Sequence, residues 1–144
     1  MITFDIKQIT AVKGKQTFYQ LTIDDFPAYN DEDDENQRNE KKKGVLDWYE
    51  EELEVKYQKD LHMIYAYMQR VANNQMVAGS KYHELSRPKS DQIKDFEFKH
   101  GDLRVYAFQA PGGKIIAVGG YKNRQNKDIN RLRSLKQQYL DSLK

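Results

Sequence analysis

The chain contains no cysteine. That removes disulfides, thiolate nucleophiles and Cys-ligated metal sites together, and it fits a reducing compartment. No apolar run approaches the ~20 residues that a membrane-spanning helix requires. The opening residues, MITFDIKQIT, alternate polar and apolar side chains and so lack the apolar core of a secretory leader. A soluble cytoplasmic protein with no membrane partner is expected. Histidine is scarce: His62, His83 and His100 are the only three. No HExxH or paired-histidine spacing occurs, and His62 beside Leu61 reads as a helical residue rather than a ligand. No GxxxxGK[ST] loop is present. Gly112-Gly113-Lys114 lies between strands rather than ahead of a helix, and Gly119-Gly120 lacks the spacing of a dinucleotide fingerprint. Neither a metal nor a nucleotide cofactor is expected.

Apolar residues are also few, at 38% against 32% charged. The expected core is therefore modest and draws much of its area from Tyr and Phe. A length of 144 residues suits one domain spanning the chain. The net charge of +2 hides an asymmetry. Met1–Ser80 holds ten Lys and Arg against fifteen Asp and Glu, whereas Lys81–Lys144 holds fourteen against seven. A basic half suits a polyanionic partner. Neutralisation of one half by the other within the fold is the alternative.

Periodicity points to an α+β fold. Ile2, Phe4 and Ile6 alternate with polar residues, as do Tyr19, Leu21 and Ile23; with a turn at Lys13-Gly14-Lys15, the two runs read as a β-hairpin. Residues 24–43 carry the acidic run Asp31–Glu35 and then Lys41-Lys42-Lys43, a solvated loop. From Leu46 to Ala72, apolar residues step by three and four, which predicts one long helix. Its early glutamates, Glu50, Glu51, Glu52 and Glu54, would suit the positive end of the helix dipole. Asn73-Asn74 is its stop. A short strand follows near Tyr82–Leu85. Two tight turns, His100-Gly101-Asp102 and Pro111-Gly112-Gly113, then divide three apolar runs into an antiparallel meander. Asp128 is positioned to cap a final helix, whose apolar stripe is Ile129, Leu132, Leu135, Tyr139, Leu140 and Leu143, with Arg131, Arg133 and Lys136 mainly off it. The expected architecture is a small antiparallel sheet packed against a long helix and a C-terminal helix, with an extra N-terminal β-hairpin.

The chemistry available to this chain is cationic. Lys99 and His100 end one strand, Arg104 lies in the next, and Lys122, Arg124 and Lys127 follow the third. Arg grips phosphate with a planar fork and Lys with a point charge, and Tyr106 and Tyr121 are candidate stacking rings for a base. On RNA the reaction would be attack by the 2′-hydroxyl, with cations stabilising the phosphorane. An ordinary solvated sheet face would show the same residue types.

The segment DFEFKHGDLRVYAFQAPGGKIIAVGGYKNRQNKDINR, Asp95 to Arg131, resembles the C-terminal half of RelE/HigB-type toxins in the RelE/ParE superfamily. The ordered parts are Arg104-Val105-Tyr106, the turn Pro111-Gly112-Gly113, the strand Ile115–Val118 and Gly120-Tyr121-Lys122. The resemblance covers about the last fifty residues. It implies the toxin of a type II toxin–antitoxin system, a metal-independent endoribonuclease that cuts mRNA, often on the ribosome, and is neutralised by a cognate antitoxin. It assigns Arg104, Lys122 and Arg124 to catalysis and Lys99, His100 and Tyr121 to substrate, to which the reading of the residues adds Tyr106 and Lys127. The family commonly begins with a strand and a helical hairpin, and many members place Tyr or His near the C-terminus. The β-hairpin and single long helix read here, and Tyr139 on an apolar stripe, differ from that pattern. The alternative is a ParE-like relative that binds RNA or a protein without cutting.

Overall fold

The computed structural model describes residues 4–23 and 44–144. The acidic loop expected over 24–43 lies outside the described residues. Both alternating N-terminal runs form strands: β1 (Phe4–Gln8) pairs antiparallel with β2 (Thr17–Ile23), Phe4 opposite Ile23 and Gln8 opposite Tyr19. The short β3 (Tyr82–Glu84) edges β4 (Asp95–His100), and β4, β5 (Leu103–Ala110) and β6 (Gly113–Tyr121) make the antiparallel meander.

All six strands join one sheet in the order β1-β2-β6-β5-β4-β3. That sheet is mixed rather than antiparallel as expected, because β2 lies parallel to β6 over Thr17–Gln20. A period of two is the same beside a parallel or an antiparallel neighbour, so alternation along β2 carries no information on this pairing. The junction is tight. Thr17 N–H donates to Gly112 O at 3.0 Å, and a Cβ added at Gly113 would stand 1.7 Å from Thr17 O. Gly113→Ala is therefore expected to destabilise the fold by about 3 kcal/mol through overpacking. Urea denaturation checks this, and an unchanged midpoint would show that the strands separate there at no cost.

The long helix of the sequence reading is two helices. α1 (Val45–Glu52) and α2 (Gln58–Ala72) are separated by extended Leu53 and Glu54 and a 3-10 turn at Val55–Tyr57. The apolar spacing runs through the break because Leu46, Tyr49, Leu53, Leu61, Ile64 and Met68 all enter one buried cluster. The glutamates do not favour this break, since in one continuous helix they would lie toward its positive end. Glu50, Glu51 and Glu52 occupy the last turn of α1, where the dipole opposes negative charge, instead of the first turn of a long helix. At the other end of α1, Gln20 Oε1 accepts from the Leu46 and Asp47 N–H groups at 2.9 Å, satisfying two donors that helix geometry leaves free. Asn73 ends α2 as expected, with Asn74 in the left-handed region at φ 58°.

The last helix, α3 (Gln125–Ser142), starts before Asp128, directly after a 3-10 turn at Lys122–Arg124. Asp128 is thus inside the helix and is not its cap. Successive strand residues face opposite sides of a sheet, and β6 shows which helix covers which side. At Gly119 an added Cβ would meet the Tyr49 ring of α1, and at Gly120 it would meet Asp128 of α3. α1 and α2 therefore cover one face and α3 the other, and the described chain is an α+β fold of six strands and three helices. Among the described residues, no helix is long and apolar enough to cross a membrane.

Candidate functional site

The turns of the meander bring three strand ends together. Lys99 on β4 lies opposite Arg104 on β5, which lies opposite Gly120 on β6. The backbone reinforces this end: Lys122 N–H donates to Asp102 O at 2.8 Å, tying the turn after β6 to the β4–β5 turn. Lys122 Nζ also sits 3.2 Å from Asp102 Oδ1, at the surface. Arg124 and Lys127 follow on the exposed start of α3 and make no ion pair with any described residue. Lys99, Arg104, Lys122, Arg124 and Lys127 thus gather at one end of the sheet.

Strand alternation separates the remaining residues of the expected site. Lys99, Arg104 and Tyr106 face α3, whereas His100, Leu103 and Tyr121 face α1 and α2. His100 therefore does not join Arg104. Its Nδ1 is 2.7 Å from Tyr67 Oη and its Nε2 3.7 Å from Asp60 Oδ1, both on α2. Tyr121 meets the Tyr49 and Tyr57 rings edge-on, with centroids 6.4 and 5.6 Å away. Tyr106 is fully buried beneath α3 and presents no ring face on which a base could stack. Burial is also the chief reason its phenol is held well above the usual value, with Glu97 and Asp128 adding to the shift.

The cations are partly engaged. Arg104 Nη1 donates to Gly101 O at 2.7 Å and to Leu103 O at 2.8 Å, folding the guanidinium back over its own turn. Its Nε is buried without a partner. Lys99 Nζ is 3.9 Å from Oε1 of Glu97, which is itself buried and accepts from Gln125 Nε2 at 3.0 Å.

A second feature was not anticipated. The β2–β6 ladder ends at Gln20 opposite Ile116, so among the described residues β6 pairs beyond that point with β5 alone. The space beside this free edge is a cleft of about 380 Å³ between α1 and α3. Trp48 and Glu52 line one wall, Tyr121 the end, and Arg124, Asp128 and Arg131 the other wall. Asp128 Oδ2 is buried without a hydrogen bond among the described residues and rests on Gly120, where an added Cβ would come within 2.0 Å. Burial lifts the Asp128 carboxyl above its usual range by more than the Arg124 and Arg131 charges lower it. Tyr49 Oη closes the floor by donating to Gly120 O at 2.6 Å. The sequence did hold a signal for this wall: Arg124, Asp128 and Arg131 are spaced four and three apart, one face of a helix.

Compared with protein-family models, with curated proteins and with solved structures, the chain matches none of them.

Proposed function

We propose that the protein is an mRNA-cleaving endoribonuclease of the RelE/HigB kind, the toxin of a toxin–antitoxin pair. The observation that carries this reading is the gathering of Lys99, Arg104, Lys122, Arg124 and Lys127 at one end of the sheet. In the reaction the 2′-oxygen attacks phosphorus, the 5′-oxygen leaves, and a 2′,3′-cyclic phosphate forms. Negative charge builds on the phosphorane, and cations placed beforehand stabilise it more than they stabilise the substrate. Arg104 is the phosphate clamp, with Lys122 and Arg124 beside it. The order of elements supports the likeness as well. After the β1–β2 hairpin come two consecutive helices, the short edge strand β3, the three-stranded meander β4–β6 and the helix α3. Partners are mRNA, the ribosome on which it is read, and an antitoxin protein.

One observation favours the ParE-like alternative, binding without cutting: the Arg104 guanidinium is bonded to its own turn carbonyls. Induction of the chain in cells separates the two readings. Growth arrest with fragmented transcripts is expected. Arrest with intact mRNA would favour the alternative, and unimpaired growth would overturn both.

A further inference from the structure

Asp128 and Arg131 share one face of the first turns of α3, and Arg124, the last residue of the 3-10 turn before it, stands on the other side of Asp128. At 1.5 Å rise per residue the two arginines are about 10 Å apart along the helix, with the carboxylate between them. A phosphate centred on this wall would be repelled by Asp128. A carboxylate accepts hydrogen bonds and cannot donate them, so the group that meets it must be a donor, flanked on both sides by negative charge. A ribose within a single strand has that pattern, a 2′-hydroxyl between two phosphodiesters. The remaining surfaces agree. Trp48 lines the opposite wall, where its indole would sense a bound nucleotide. Glu52, also on that wall, keeps the phosphate backbone on the arginine side. A volume of about 380 Å³ lies at the small end of ligand pockets and suits one nucleotide. With Oδ2 held against Gly120, Oδ1 is left for the cleft.

We propose that this cleft seats one nucleotide of a single-stranded RNA, its 2′-hydroxyl donating to Asp128 and its flanking phosphates on Arg124 and Arg131. The inference rests on the RNA reading above and deepens it, because the 2′-hydroxyl is the group that separates RNA from DNA. Trp48 is the single tryptophan of the chain, so its fluorescence reports occupancy of the cleft.

The test titrates the full chain, carrying Arg104→Ala to slow cleavage, with short single strands of one sequence made as RNA, DNA and 2′-O-methyl RNA. RNA is expected to perturb Trp48 and to bind about tenfold more tightly than either analogue. Asp128→Ala should bring RNA down to the affinity of DNA and leave DNA little changed. The analogues need no further substitution, so the result stands even if Asp128→Ala fails to fold. Equal affinities for all three strands, or an RNA preference that survives Asp128→Ala, would overturn the proposal. The two readings fail separately. Cleavage in cells without 2′-hydroxyl-dependent binding removes only the cleft assignment, and 2′-hydroxyl-dependent binding with intact transcripts removes only the nuclease.

Discussion

Lys136→Ala is expected to lower the stability of the fold by about 3–5 kcal/mol, the cost of leaving a buried charge without its partner. Lys136 is only 4% exposed on α3, although the sequence reading set it mainly off the apolar stripe. Its Nζ donates to Asp91 Oδ2 at 2.6 Å, Asp95 Oδ1 at 2.8 Å and Ile93 O at 2.9 Å. Asp95 has no exposure, and without Lys136 it would keep only Arg133 Nε, 3.7 Å away. The damage therefore comes from the orphaned carboxylate more than from the lost bond. Lys136→Met combined with Asp95→Leu should accordingly recover much of the loss. Asp91 adds a dependence on pH. Burial pulls its carboxyl upward, but the Lys136 bond, the Ile93 amide and the Lys136 and Arg87 charges hold it below the ordinary 3.8. Its folded value is thus lower than its unfolded one. The stabilisation is present above pH 3.8 and is lost as pH falls through the folded value. Urea midpoints at neutral and acid pH read both effects. The parent should weaken more steeply than Lys136→Ala on acidification, and equal midpoints at neutral pH would sink the argument.

The strands were legible because their signals are local. Alternation places β1, β2, β4 and β5, a short apolar run places β6, and two successive tight turns force Lys99, Arg104 and the end of β6 to one end of the sheet. What was not legible depends on which element lands where. Alternation put Tyr106 on the face of Arg104, but only the docking of α3 shows that this face is covered at Tyr106 and open near Lys99. His100 was grouped with Lys99 by adjacency, the relation that sends strand neighbours to opposite faces. The break at Leu53–Glu54 escaped a periodicity that continues across it, since both helices pack on the same side. Asp128 looked like a cap because a polar residue before an apolar stripe is the usual start signal. Its place against Gly120 follows from a contact between α3 and β6 that no window of sequence contains.

If the protein is the nuclease proposed above, Arg104→Ala carries the largest expected effect on function, a fall of about 10²–10³-fold in the rate of RNA cleavage with KM almost unchanged. The split between the two constants follows from the geometry. In the absence of substrate the guanidinium is bonded to Gly101 O and Leu103 O, so gripping phosphate means exchanging those bonds. That exchange is nearly neutral for a ground-state phosphodiester and becomes favourable only as charge develops on the phosphorane. The same two bonds anchor the β4–β5 turn, and their loss should cost about 1–2 kcal/mol of stability. A thermal melt beside the kinetics separates that loss from the catalytic one. Arg104→Lys restores the charge but not the planar fork, so it should recover only part of the rate. Lys122→Ala is the contrasting case. Lys122 is exposed and, among the described residues, pairs with Asp102, so its removal should weaken RNA binding evenly across sequences and reduce the salt slope of log K by about 1, with little change in the chemical step. A parent-like cleavage rate from folded Arg104→Ala would overturn the assignment of Arg104 as the phosphate clamp.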